Sequence, residues 1–130
     1  MKSKNTRARN HKGNHVNMNN WIRGGCIAAA FFMAVLLFAI ADKAGQVPLL
    51  PYLPDKLVHF CYYGVMAGLL AFGLGRRWWW IALVVVPLIG ALDEWHQFYV
   101  PGRDASAFDW LADVLGTVAV MYGYRVRVRN

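Results

Sequence analysis

The sequence predicts an all-α membrane protein: an integral four-helix bundle whose two termini both lie in the cytoplasm. Three observations lead to this fold class. The chain of 130 residues is 58% hydrophobic, and its apolar residues form long runs instead of the short alternations that give a soluble protein an amphipathic surface. Four such runs are separated by short polar connections. The net charge of +7 belongs to the tails and connections and not to the runs, which is typical of membrane-spanning chains.

The first 20 residues are polar and basic and have no apolar periodicity. The sequence therefore predicts a disordered cytoplasmic tail for residues 1–20. A basic tail can bind nucleic acid, but a flank that fixes membrane orientation and meets anionic lipid explains this composition better, so no nucleic-acid partner is expected. Residues 21–125 form the predicted transmembrane domain, and residues 126–130 form a short basic cytoplasmic tail.

The first span is predicted at about residues 22–41. Its uncharged stretch from Gly24 rises about 27 Å as a helix, close to the hydrocarbon thickness of a bilayer. A cleaved signal peptide is the alternative, because Ala39-Ile40-Ala41 resembles a cleavage site. The apolar run is longer than in most signal peptides, which favours an uncleaved helix.

The second span is predicted at about residues 57–74, after a connection over residues 42–56 that contains three prolines. Proline lacks a backbone donor and disfavours helix in the preceding residue, so this connection should be extended and stiff. Gly64 and Gly68 lie four residues apart in the span. Small residues at this spacing let helices approach closely, which predicts a packing surface.

The third span is predicted at about residues 79–99 and the fourth at about residues 108–124. Arg76-Arg77 and three tryptophans at 78–80 mark a cytoplasmic hairpin before the third span, since both residue types favour the headgroup region. Pro87 can kink the third helix. Pro101-Gly102 then turns the chain into the fourth span.

The distribution of charge predicts the orientation. With the N-terminus inside, eleven of the fourteen basic residues lie in cytoplasmic segments, and all seven acidic residues lie at the outer side. This agrees with the positive-inside rule. The sequence therefore predicts a multi-pass membrane protein with its acidic residues at the outer side.

A polar patch near the outer ends of the helices is the candidate site. Five of the seven acidic residues lie between Asp93 and Asp113, and helical spacing brings polar side chains from the last three spans to one depth. Charges inside a membrane are costly and are kept mainly where they serve a site. The candidate ligand-binding residues are Asp55, Lys56, His59, Asp93, Glu94, Gln97, Arg103, Asp109 and Asp113.

Structural interpretations of these residues stay open beside the site interpretation. Asp55 is a plausible helix N-cap, and Ser106 with Asp109 fits a capping box for the fourth helix. Asp93 and Glu94 oppose the dipole at the end of the third helix and need a partner.

The nearest candidate partner is Arg103, and a purely structural ion-pair network would also explain these charges. No metal site and no cofactor are predicted, because no metal-binding motif is present. A divalent cation held by the carboxylates is the open alternative.

The ordered set of motifs resembles the VanZ-like family of small membrane proteins over roughly residues 50–124. The residues that carry the resemblance are Asp55-Lys56-x-x-His59-Phe60, Asp93-Glu94-x-x-Gln97, Pro101-Gly102-Arg103, Ser106-x-x-Asp109 and Gly116. The resemblance implies a helical, multi-pass transmembrane domain in the bacterial inner (cytoplasmic) membrane and a relation to the member associated with low-level resistance to the glycopeptide teicoplanin. Many relatives carry Asn where this chain has Asp113, which implies an additional negative charge here. The family provides no catalytic assignment to transfer.

Three functions are compatible with the sequence. The favoured one is binding of a lipid or lipid-linked headgroup in the cell envelope, with lipid-linked cell-wall precursor or a glycopeptide as expected partners beside membrane lipids. Arg103 would meet a phosphate, and the carboxylates would accept from sugar hydroxyls. The first alternative is an enzyme that uses Glu94, Asp93 and His59 in acid–base chemistry. Catalysis is less favoured, because no nucleophilic Ser or Cys motif is present. The second alternative is a structural membrane protein without a ligand.

Overall fold

The structure, a computed structural model, describes the backbone of residues 4–44 and 54–129 and the side chains of residues 19–40 and 54–128. These residues form four α-helices and no strand. The helices are α1 (Lys4–Ala44), α2 (Asp55–Leu74), α3 (Ala82–Gln97) and α4 (Ala107–Arg129), and a single 3-10 turn, Trp79–Ile81, precedes α3. The predicted all-α class and the number of helices are confirmed.

Three helical segments are long and apolar enough to cross a membrane: Asn19–Ile40, Asp55–Leu74 and Trp79–Gln97. They correspond to the first three predicted spans. The 20 residues of α2 rise about 30 Å, the thickness of a hydrocarbon core. Large apolar side chains remain exposed on the outside of the bundle, for example Phe31 and Leu88, as expected for a surface that contacts lipid. The chain is therefore a membrane protein.

The fourth predicted span is present as a helix but is more polar than the others. α4 has 23 residues, and it is absent from the segments in the described chain that are apolar enough to cross a membrane. Asp109 and Asp113 near its start lower its hydropathy. A fourth crossing and the predicted cytoplasmic position of both termini therefore remain predictions.

The first helix begins earlier than the sequence predicts. α1 is continuous from Lys4 to Ala44, so the backbone of residues 4–20 is helical where the sequence predicts a disordered tail. Extending an existing helix avoids the cost of nucleation, and no proline interrupts these residues. The side chains of residues 1–18 and the structure of residues 45–53, most of the proline-rich connection, lie outside the described part. The division into tail and domain remains a prediction.

α2 and α4 touch through their backbones. A Cβ atom at Gly116 would overlap the carbonyl oxygen of Phe60, and one at Gly64 would lie 3.2 Å from the carbonyl oxygen of Gly116. A Cβ at Gly68 would lie 3.2 Å from the side chain of Val120. The predicted packing surface at Gly64 and Gly68 is therefore confirmed, and its partner is α4.

An arginine from α1 contacts the backbone at the C-terminal end of α2. Arg23 Nε donates to the carbonyl oxygen of Gly73 at 3.0 Å, and its Nη2 donates to that of Leu74 at 2.9 Å. These carbonyls end α2 and have no partner within their own helix. Between this end of the bundle and the opposite end, where α2 begins, lies an apolar core. It includes Met66, Ala67, Ala71, Val86 and Met121.

The contact at Gly116 gives a direct test of this packing. We expect Gly116→Ala to lower the free energy of unfolding by about 1–3 kcal/mol, because the added methyl group forces α2 and α4 apart. Gly123→Ala on the same helix is the matched control, since nothing lies within 4 Å of a Cβ there. Unfolding of the purified protein in mixed detergent micelles measures both variants, and equal stabilities would contradict the contact.

Candidate functional site

Buried polar side chains from α2, α3 and α4 meet at one end of the bundle. The starts of α2 and α4 and the end of α3 lie together there, because α3 runs antiparallel to both α2 and α4, which run parallel to each other. We call this set the polar cluster; its members are His59, Asp93, Glu94, Gln97, Asp109 and Asp113, all buried. The sequence predicted each of them as a site residue, and the structure brings all six together.

His59 and Asp113 form the contact at the centre of the polar cluster. His59 Nδ1 lies 2.9 Å from Asp113 Oδ1, and both side chains are buried. Gly90 of α3 makes room for this pair, because a Cβ atom there would lie 2.6 Å from Asp113 Oδ2. With Nδ1 donating to the carboxylate, the imidazole Nε2 is left for another partner.

Asp93 is held on one side by two donors. Its Oδ2 accepts from Gln97 Nε2 at 2.9 Å and from the hydroxyl of Tyr63 at 3.3 Å. Gln97 lies one turn beyond Asp93 on α3, as their spacing predicts. Both donors are themselves buried, so the orientation of the Asp93 carboxylate is fixed by the packed bundle.

Glu94 binds the backbone that leads into α4. Its Oε2 accepts from the backbone N–H of Ser106 at 2.7 Å. In a capping box this N–H would bind the carboxylate of residue 109. Asp109 instead accepts a hydrogen bond from Lys56 Nζ through its Oδ1 at 2.8 Å. The predicted capping box is therefore wrong, because the carboxylate that binds the Ser106 N–H belongs to Glu94 of α3 and not to Asp109.

Two further expectations are corrected by the structure. Asp55 is the first residue of α2, and the N-cap position belongs to Pro54, with no side-chain cap. Asp55 is thus an acid in the first turn, where it suits the helix dipole.

No ion pair in the described part of the chain joins Arg103 to Asp93 or Glu94. Arg103 follows the turn at Gly102 and is half-buried, and one oxygen of each carboxylate is held by the donors described above.

Four buried oxygen atoms at the polar cluster have no hydrogen-bond partner among the described residues. They are Asp93 Oδ1, Glu94 Oε1, Asp113 Oδ2 and Thr117 Oγ1. Buried polar atoms in folded proteins are nearly always satisfied, because an unsatisfied one costs about 1–3 kcal/mol. Polar atoms left over in this number indicate that water, a ligand, an ion or bound protons satisfy them at this place.

The comparisons with known proteins agree with the architecture. The model of the family described as VanZ/LLP1 matches residues 2–128, nearly the whole chain. The chain belongs to the VanZ-like family. A search of curated proteins and a search of solved structures give no significant match. Family membership and apolar helices together make the chain a VanZ-like membrane protein.

A shallow groove runs along the outside of this VanZ-like protein beside the polar cluster. It lies between the end of α3 and the start of α4, and its lining is mostly apolar. Glu94 and Ser106 are its polar members, and the remaining lining residues are Ala91, Trp95, Phe98, Ala105, Ala107 and Trp110. The groove connects the surface that faces lipid with one carboxylate of the cluster.

Sequence reasoning missed Tyr63 and Thr117 at this site of the VanZ-like protein. Tyr63 is 1% exposed and Thr117 is fully buried. Each follows a predicted site residue by four positions, Tyr63 after His59 and Thr117 after Asp113. Residues four apart share a helix face, so the spacing that identified the other members could have found these two.

The buried pair His59–Asp113 should be coupled more strongly than the exposed pair at the rim. In a double-mutant cycle of His59→Ala and Asp113→Ala, we expect a coupling free energy of about 1–3 kcal/mol, because the two side chains are in direct contact. The matched cycle of Lys56→Ala and Asp109→Ala should give a smaller value, since the Lys56 side chain is 59% exposed. Unfolding in mixed micelles with a chelator measures both cycles. A larger coupling in the rim pair would contradict the geometry.

Proposed function

We propose that this VanZ-like protein binds a lipid or lipid-linked headgroup of the cell envelope at the polar cluster. One observation carries the proposal: Asp93, Glu94 and Asp113 each keep a buried oxygen without a hydrogen-bond partner. Such oxygens are acceptors for hydroxyl, amide or ammonium donors. A headgroup rich in hydroxyl groups, such as a sugar, supplies these donors.

The groove beside the cluster supports a ligand that has both polar and apolar parts. Its lining is aromatic and aliphatic apart from Glu94 and Ser106. Trp95 and Phe98 are 64% and 73% exposed, and they offer apolar surface to an acyl or polyprenyl chain. Glu94 has one oxygen on Ser106 and one without a partner, so a lipid whose chain lies in the groove brings its headgroup to this carboxylate.

Two cations near the cluster favour a phosphate in the headgroup. Lys56 lies at the rim with an exposed side chain that touches only one carboxylate, Asp109, among the ion pairs described. Arg103 lies in the turn between α3 and α4, and the described chain contains no ion pair that includes it. A guanidinium that is not already paired can bind phosphate through two parallel hydrogen bonds.

The place of action follows from the same proposal. We assign the protein to the bacterial cytoplasmic membrane as a multi-pass protein, with the polar cluster at the outer side, as the charge distribution predicts. The VanZ-like family includes the member associated with teicoplanin resistance, which makes lipid-linked cell-wall precursor the first ligand to test, with a link to glycopeptide resistance as the proposed physiological role.

A second candidate function is acid–base catalysis on the same headgroup. The contact between His59 and Asp113 favours it, because a carboxylate on Nδ1 orients the ring so that Nε2 can take or give a proton. Glu94 and Asp93 lie close to the same imidazole. Release of a product from an envelope lipid by wild type and its loss in folded Glu94→Gln would make the protein an enzyme.

Thermal stability in lipid nanodiscs tests headgroup binding. We expect polyprenyl phosphate or lipid-linked cell-wall precursor to raise the melting temperature of the wild type in a saturable manner. At a ligand concentration of 100 times Kd the stabilisation is about 2.7 kcal/mol. Arg103→Ala should weaken the response, because it removes the phosphate contact. Teicoplanin is titrated in the same way.

The matched control is Arg127→Ala, which removes an exposed arginine at the other end of α4. It should respond like the wild type. No shift with any of these ligands, or identical shifts for wild type and Arg103→Ala, would rule out this mode of binding. A loss of stability without any ligand response would favour the structural alternative.

A further inference from the structure

We infer that His59, Asp93 and Glu94 form a binding site for a divalent transition-metal ion, with Mn²⁺ and Zn²⁺ as the best-fitting ions. One ring nitrogen of His59 and one oxygen of each carboxylate lie within 4.8 Å of one another, and all three residues are buried. Ligand atoms about 2.1 Å from a tetrahedral ion lie about 3.4 Å apart. Small rotations of the side chains are therefore enough to close the three ligands around an ion.

Each of the two carboxylates is fixed through one oxygen and leaves the other oxygen without a partner. Asp93 binds Gln97 and Tyr63 through Oδ2, and its Oδ1 is buried without a hydrogen bond. Glu94 binds the backbone of Ser106 through Oε2, and its Oε1 is likewise buried and orphaned. Outer partners that hold a ligand in place, with one atom left for the ion, are a regular feature of metal sites.

His59 has the same arrangement. Its Nδ1 lies 2.9 Å from Asp113 Oδ1. A carboxylate on one ring nitrogen fixes the tautomer that offers the lone pair of the other nitrogen to a metal. All three ligands are thus oriented by partners that are themselves parts of α2, α3 and α4 or of the turn before α4.

The charge of the cluster needs a cation. Asp93, Glu94 and Asp113 are buried next to each other, and in the described part of the chain no lysine or arginine forms an ion pair with them. Burying unpaired charges costs several kcal/mol for each ion. A divalent ion offsets two of these charges and gives the orphaned oxygens a partner. Bound protons would also lower the charge, and the experiment below separates the two cases.

A second group of ligands is less suitable. Asp55, His59 and Asp109 also come within 4.8 Å of one another. Asp109, however, already has the ammonium group of Lys56 at 2.8 Å, and Asp55 is exposed to solvent. The inner group has neither disadvantage, so the ion belongs there.

The donor set indicates the class of ion. Imidazole nitrogen suits zinc and carboxylate oxygen suits manganese, whereas an all-oxygen set suits magnesium and calcium. Three protein ligands leave further positions open on the ion. The inference goes beyond the proposed function, because an ion can bind here whether or not a headgroup does.

Metal binding can be measured without any headgroup ligand. The chelator-stripped protein in phosphatidylcholine nanodiscs is titrated with Mn²⁺, and loss of the free-ion signal in electron paramagnetic resonance reports binding. Zn²⁺ is measured by elemental analysis after gel filtration. We expect one ion per wild-type chain. Asp93→Asn and Glu94→Gln should each weaken binding by at least tenfold, because removing even an outer partner of a ligand costs about 10–100-fold.

A matched control removes one acidic charge from the same end of the molecule. Asp104→Asn alters an exposed carboxylate in the turn before α4 and should bind the ion like the wild type. Asp109→Asn alters the outer ligand group and should lose less affinity for the ion than Glu94→Gln. If Asp93→Asn does not fold, the titrations of Glu94→Gln and of the wild type still decide whether the metal site exists.

Three outcomes would overturn the metal site. They are no ion bound to folded wild type, unchanged binding in folded Glu94→Gln, or loss of binding in Asp109→Asn alone. The first outcome would mean that protons neutralise the cluster. Repeating the headgroup titration with chelator separates the two proposals. A headgroup response in a protein that binds no metal overturns the metal site only, and metal binding without any headgroup response overturns the proposed function only.

Discussion

The backbone contact between Gly116 and Phe60 sets the separation of α2 and α4, and the polar cluster depends on this separation. No side chain lies between the two helices at this point, because a Cβ atom on Gly116 would overlap the Phe60 carbonyl oxygen. His59 is the neighbour of Phe60, and Asp113 lies three residues before Gly116. A side chain as short as aspartate can reach an imidazole at 2.9 Å only across such a narrow gap. Gly116, which has no side chain, thus determines how closely His59 and Asp113 approach each other.

The apolar side chains that stabilise the bundle and the polar side chains of the candidate site lie in different halves of it. Its apolar half is filled by side chains such as Met66, Val86 and Met121, and their close packing holds the helices together, because lipid provides no hydrophobic driving force between helices. The polar half combines satisfied and unsatisfied atoms. Gln97, Ser106 and Lys56 each occupy one side of a carboxylate, while the opposite oxygens of Asp93 and Glu94 remain without partners. Such a division is expected where the packed half offsets the cost of keeping a site in the other half.

Much of this architecture could be predicted from the sequence, and the failures have physical reasons. Apolar runs of membrane length gave the helices, and four-residue spacing placed Asp93 with Gln97 and Asp109 with Asp113 on common faces. The partner of Glu94 could not be found in this way, because the path of the turn over residues 98–106 decides which backbone amide it meets. The sequence suggested Arg103 as the partner of Glu94, because opposite charges attract. Glu94 instead accepts from the backbone N–H of Ser106 at 2.7 Å. Periodicity describes one helix at a time, whereas the contacts of a loop depend on several.

The hydrogen bonds of Arg23 have an electrical consequence. Its guanidinium binds two neutral carbonyl groups instead of a carboxylate, so its positive charge is not cancelled. Arg76, Arg77, Arg125 and Arg127 lie at the same end, while the carboxylates of the polar cluster lie at the opposite one. The molecule is therefore a macroscopic dipole along the bundle axis. Moving one elementary charge through a membrane voltage of 100 mV changes its energy by about 2.3 kcal/mol. A negative interior stabilises the orientation with the arginines inside and opposes the inverted one, and a cation within the cluster would weaken this dipole.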